Sequence, residues 1–239
     1  MKLSDIFSQL TYGELSQVSV GSADQGVIDA TNYNQVLAHI NLALAALYKR
    51  FPLKEGRASF ALKPGQPIYK ITTEDGLSFL QGSNADEFAD DIIKIEKVLT
   101  DAGFELGINN SADVYSCFTP SATTLRVASP ITDQIMDLPP YLKTVNLTVV
   151  YRANHPIISL GRGTFNPALV DVELPYSHLE ALLMFVASRV HNPIGMDHGF
   201  HAGNSYYAKY ESICQQLEKT NVGVDQGSQS TRLRSNGWV

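Results

Sequence analysis

Leu174-Pro175-Tyr176-Ser177-His178-Leu179-Glu180-Ala181-Leu182-Leu183-Met184-Phe185-Val186-Ala187-Ser188-Arg189-Val190-His191-Asn192 is the stretch whose reading decides the fold. Leu179, Leu182, Leu183, Val186 and Val190 recur at spacings of three and four and mark one face of a helix. Ala181, Met184, Phe185 and Ala187 make much of the remaining circumference apolar, so the spacing predicts a helix covered on most sides. Pro175 suits its first turn, and Asn192-Pro193-Ile194-Gly195 ends it. A second, narrower stripe follows from about Phe200 to Lys219, through Gly203, Tyr206, Tyr207, Tyr210, Ile213, Cys214 and Leu217. Both helices need something to pack on, and the first fifty residues supply it.

Ser4 or Asp5 can cap a short helix whose apolar side uses Ile6, Phe7 and Leu10. After a Gly/Ser/Asp-rich connection, Asp29 or Thr31 can cap a longer one. Its stripe is Val36, Leu37, Ile40, Leu44, Leu47, Tyr48 and Phe51, and Pro52 closes it. Past Gly56 the period drops to two. Ala58, Phe60 and Leu62 alternate with polar residues, Lys63-Pro64-Gly65-Gln66 reads as a turn, and Ile68 to Ile71 completes an expected hairpin. Thr73 to Asp90 reads as an acidic exposed loop. Short apolar runs follow at 92–99, 104–108, 114–118, 125–128 and 145–151, separated by turn residues, and residues 154–166 read as a return loop.

The expected fold is α+β. Residues 1–56 and 174–220 form a helical bundle, 57–173 an inserted β-rich, sandwich-like region, and 221–239 an extended tail. Strands this short and frequent point to a sandwich or barrel and away from βαβ units.

Bulk properties exclude several classes. At 239 residues, 44% hydrophobic and 18% charged, the chain can bury a sizeable core. A formal net charge of −6 disfavours tight binding to phosphates. Cys117 and Cys214 lie too far apart in sequence for a disulfide framework and read as small core residues in a reducing compartment. Met1-Lys2-Leu3-Ser4-Asp5 has no apolar run of the secretory kind, and the longest apolar run, Ala181 to Ala187, is far short of the ~20 residues of a membrane span. A soluble chain made in the cytoplasm, without a membrane association, is expected.

Chemistry-bearing groups are few. His191, Asp197, His198 and His201 could ligate a metal, His198 and His201 sharing a helical face, and would serve a metal-dependent hydrolase. No cysteine joins them and no H-E-x-x-H spacing is present, so capping and backbone bonding is the simpler role. Ser177-His178-Leu179-Glu180 cannot form a triad on one helix, and Ser177 reads as a capping group. Gly161-Arg162-Gly163-Thr164 lacks the Lys-Ser/Thr and the setting of a phosphate loop. No catalytic residue and no cofactor is expected. The tail from Asn221 to Val239 is rich in Gly, Ser and Gln, yet it holds Arg232, Arg234 and the single Trp of the chain, Trp238, just before Val239. Arg and Trp are the residue types that dominate interface hot spots, so this segment is expected to dock on a partner.

Three stretches bear a resemblance to a known family. They are Ile40 to Pro52 with the strand and turn from Phe60 to Tyr69; Val149-Val150-Tyr151-Arg152-Ala153-Asn154-His155-Pro156; and Val172-Glu173-Leu174-Pro175 with the two helices that end at Tyr210-Glu211. In layout the chain resembles the head-to-tail adaptor (connector) proteins of tailed bacteriophages. The resemblance implies a structural virion protein: a ring, commonly of twelve copies, below the capsid portal protein. It extends the channel, meets tail or nozzle proteins, and lets DNA pass without specific binding. An acidic subunit suits a channel wall that repels phosphate. The resemblance also implies that Arg232, Arg234, Trp238 and Val239 grip the portal or an adjacent copy. A β-sandwich module that binds carbohydrate or peptide is the other non-enzymatic alternative.

Overall fold

The computed structural model describes residues 1–20, 24–73, 88–110, 115–128, 131, 145–160, 165–191 and 198–220. The chain divides into two compact units, Leu53–Asn154 and Met1–Pro52 with His155–Val239.

The first of these is built on one sheet. Its strands are β1 (Glu55–Ala61), β2 (Ile68–Lys70), β3 (Ile92–Thr100), β4 (Glu105–Ile108), β5 (Ser116–Ser121), β6 (Thr124–Val127) and β7 (Asn146–Ala153), in the order β1-β7-β3-β4-β5-β6-β2. Pairing is antiparallel except between β4 and β5. Lys63 to Gln66 does turn: Gln66 N donates to Lys63 O at 3.1 Å, and Gly65 takes the positive φ of 72° that the turn requires. The strands on either side of it nevertheless do not pair. β1 lies on β7 and β2 on β6, at the two edges of the sheet, which corrects the expected hairpin.

That topology forces the sheet to curl. A flat seven-stranded sheet would hold its edges about 29 Å apart. The chain passes from Ala61 to Ile68 in seven residue steps, at most about 25 Å when fully extended, and it turns on the way. Side chains close the seam. Phe60 and Tyr69 sit with ring centroids 5.1 Å apart, and the Tyr69 hydroxyl accepts from Lys63 N at 2.9 Å and lies 3.2 Å from Lys63 O. Phe60, Tyr69, Ile71, Val98, Cys117, Leu125, Leu147 and Val149 fill the interior without exposure. Ile95 and Val98, an odd number apart, both point inward because β3 shifts register against β7 between Ile95 and Lys97.

The second unit holds the four helices among the described residues: α1 (Leu3–Tyr12), α2 (Tyr33–Arg50), α3 (Leu179–His191) and α4 (His198–Lys219). Short 3₁₀ turns at Pro167–Leu169 and Tyr176–His178 lie between α2 and α3. α1 starts two to three residues earlier than Ser4 or Asp5 as caps suggest: Lys2 is the N-cap, and Asp5 Oδ2 accepts from its backbone N at 3.2 Å. Asn32 is the N-cap of α2, while Asp29 instead anchors Thr31 through bonds of 2.8 and 2.6 Å to its N and Oγ1. Phe51 leaves α2 with φ −115° and ψ 141°, the extended geometry imposed by the following proline. The stripe Val36, Leu37, Ile40, Leu44, Leu47, Tyr48 and Phe51 is buried throughout. α3 is covered on most sides, with Ala181 to Met184, Val186, Ala187, Ser188 and Val190 buried.

The expectation of a helical bundle carrying an inserted sandwich is therefore corrected. The fold is mixed α/β, with one curled seven-stranded sheet and four helices among the described residues. The physical reason is that alternation tells which side of a strand is buried but not whether the inward faces belong to two sheets or to one that bends round on itself. The helices also share their unit with extended segments that no periodicity marks.

Candidate functional site

Two extended segments, residues 155–160 and 170–174, pass over α1 and α2 and are fixed there by polar contacts between residues far apart in sequence. Asn41 on α2 clamps Ile158 at both backbone groups, Nδ2 donating to Ile158 O at 2.9 Å and Oδ1 accepting from Ile158 N at 3.0 Å. His155 is buried with both ring nitrogens occupied. Nδ1 sits 2.6 Å from Pro156 O and so carries the proton, and Nε2 accepts from Glu173 N at 3.2 Å. Its ring stands edge-on to Tyr48 at 5.4 Å, and the Tyr48 hydroxyl donates to Glu173 O. Burial, with the Glu173 charge second, pushes that hydroxyl up to about 12. On the other side Leu3 N donates to Val170 O at 3.0 Å, Val172 N to Met1 O at 2.8 Å, and Lys2 Nζ pairs with Asp171 at 2.8 Å.

Between the two segments lies a cleft of about 300 Å³, with Ile157, Ile158 and Val170 as apolar lining and Asp171 and Glu173 as carboxylates. Ile157 is 82% exposed. It belongs to a wider feature: the four most exposed large apolar side chains among the described residues, Tyr12 (87%), Ile157, Leu169 (76%) and Tyr176 (74%), all lie in this unit.

The sequence-predicted site residues fare unevenly. Arg232, Arg234, Trp238 and Val239 lie outside the described residues, as do Asp197, Gly161 to Thr164 and most of the Thr73–Asp90 loop. His198 and His201 are in α4, but their side chains are not among those described. His191 is described: its Nε2 is 3.2 Å from Glu14 O and its ring lies 4.9 Å from that of Tyr206, so it ties α3 to residue 14 and to α4. No group of three or more His, Cys, Asp or Glu placed to hold a metal occurs among the described residues. Ser177 does not cap the backbone of α3; its hydroxyl lies 3.1 Å from His178 Nδ1. Both cysteines are buried free thiols, Cys117 pushed up to about 12 by burial. No helix among the described residues is long and apolar enough to cross a membrane.

Residues that sequence reasoning missed are the polar stitches. Arg50, at the end of α2, bonds Glu211 at 2.8 Å and Glu218 at 2.7 Å and fixes α4; its bond holds the Glu218 carboxyl below the usual range. His178 is buried, edge-on to Phe51 at 4.8 Å, and burial holds it below the usual histidine range. Asn41, His155 and Glu173 complete the set. Their only sequence signal is a polar residue beside an apolar stripe, and that does not name a partner more than a hundred residues away. No protein-family model and no curated protein matches the chain.

Proposed function

We propose that the chain is a structural subunit that works by assembling with copies of itself, as a ring-forming head-to-tail adaptor of a phage virion. The observation that carries this reading is the placement of the most exposed apolar side chains. Tyr12, Ile157, Leu169 and Tyr176 are each at least 74% exposed in the unit that holds the helices. Water-exposed side chains of this size cost little singly. Four in one unit, one of them in a cleft, are the raw material of a heterologous contact in which each copy offers one surface to the next. A second support is that the described histidines with interior bonds, His155, His178 and His191, are spent on packing and backbone contacts. The net charge of −6 suits a ring through which DNA slides.

In this reading about twelve copies sit between the portal and the tail or nozzle proteins. Sedimentation velocity of the full chain, alone and mixed with the portal ring of the same virion, tests it. Co-sedimentation as a multi-copy complex is the expected result. A chain that stays monomeric and apart from the portal at every concentration contradicts it.

A further inference from the structure

The cleft between residues 155–159 and 170–173 has a composition that narrows what can fill it. Apolar Ile157, Ile158 and Val170 lie beside the carboxylates of Asp171 and Glu173, and neither Lys nor Arg lines the space; Lys2 pairs with Asp171 through its exposed side chain. A peptide that presents an aromatic anchor a few residues from guanidinium groups matches that surface. Such a peptide exists in this chain. From Gln226 to Val239 there is no acidic residue, and Arg232, Arg234 and Trp238 supply two positive charges and the single Trp. Trp238 lies eighteen residues past Thr220, the last described residue, a reach of up to about 60 Å. Reach therefore does not confine it to its own copy.

Resting on the assembly reading above, we propose that residues 232–238 of one copy dock in this cleft on the neighbouring copy. Trp238 lies against Ile157 and Val170, and Arg232 and Arg234 face Asp171 and Glu173. Each copy then gives one segment and receives one, the arrangement that a closed heterologous ring satisfies at every position. An arginine fork holds a carboxylate at two points where the Lys2 ammonium offers a point charge, so the incoming guanidinium can share or replace the Lys2 contact.

Trp238 makes the test direct, because the indole emission of the protein reports that one side chain. The expected result is an emission shift to shorter wavelength as concentration rises through the assembly range. It is lost in Ile157→Asp, whose altered side chain is exposed and leaves the core intact, and in Arg232→Glu/Arg234→Glu. Mixing decides between copies. Ile157→Asp keeps Trp238 but spoils the cleft, while Trp238→Ala keeps the cleft and is silent. The mixture should regain the shift that neither shows alone. A concentration-independent shift, an unchanged shift in Ile157→Asp, or no recovery on mixing overturns the proposal. If rings still form by sedimentation in any of those cases, the adaptor reading stands without it. A wild-type chain that never assembles overturns both.

Discussion

The two units are held together in different ways. In the sheet unit a cluster of apolar side chains fills the interior, from Phe60 and Tyr69 at the seam to Leu147 and Val149 on β7, and among the described residues its most exposed apolar side chain, Val145, reaches 59%. In the other unit the helices are locked by polar contacts between residues 117 to 177 positions apart, and apolar side chains are left in water. Among the described residues the sheet unit leaves its large apolar side chains at most 59% exposed. The other unit keeps more of its apolar surface available, and that difference is why the assembly reading is placed there.

The comparison breaks most visibly at Phe60. Phe60→Ala removes a ring with no exposure that seals the two edges of the sheet, and a loss of roughly 3–5 kcal/mol is expected by denaturant unfolding. Gly56→Ala should cost about 1–3 kcal/mol. A Cβ there would run into the ring of Tyr151, 2.6 Å from its Cε2 and hydroxyl oxygen, and that ring is held by Phe88 and by a 3.1 Å bond to Asp91. A near-normal melting curve for Phe60→Ala would show that the seam is not what closes the sheet, and one for Gly56→Ala that the Tyr151 ring yields to a methyl group.

In the helix-bearing unit the sharpest probe is pH. His178 is neutral in its buried site, and His39 is also held low, by burial first and by Arg189 second. The unfolded chain takes up those protons near pH 6.5 and the folded chain refuses them. Their contribution is therefore fully present above pH 6.5 and is lost as the pH falls through and below it. The slope from His178 is at most about 1.4 kcal/mol per pH unit. Urea titrations at pH 7.5, 6.5 and 5.5 should show this decline, and His178→Phe should reduce it to the share left by His39. The Arg50–Glu218 bond acts in a separate window, because a depressed carboxyl loses its contribution only as pH falls below about 4.5. Smallest in stability is Arg50→Gln. With both carboxylates partly exposed, a salt-dependent loss of up to about 1 kcal/mol is expected, with faster amide exchange confined to α4.

What was legible in the sequence follows from the range of the interactions involved. The stripes of α2 and α3 are periodic and local, and the residues they single out are buried except Leu179, at the start of α3, which is half-buried. Pro64-Gly65 announces a turn because φ is set at each residue, yet the turn says nothing about which strands pair across it. Pairing of β1 with β7 and of β2 with β6 depends on contacts 54 to 97 residues apart, which is why local patterning suggests a hairpin and a sandwich instead. The cleft was invisible for the same reason. Ile157 looks like any apolar residue beside a proline until Asn41 and the 170–173 segment are placed around it.

The central claim is that the exposed apolar residues of the helix-bearing unit, and not those of the sheet unit, make the contact between copies. Sedimentation velocity on three full-length chains tests it: wild type, a Tyr12→Ser/Ile157→Asp/Leu169→Ser/Tyr176→Ser variant, and an Ile68→Ser/Phe104→Ser/Val145→Ser variant. All the altered side chains are exposed, so each chain should fold. The account predicts multi-copy assembly for wild type and for the sheet-unit variant, and monomer for the first. Assembly that survives the first variant and fails in the second would contradict it.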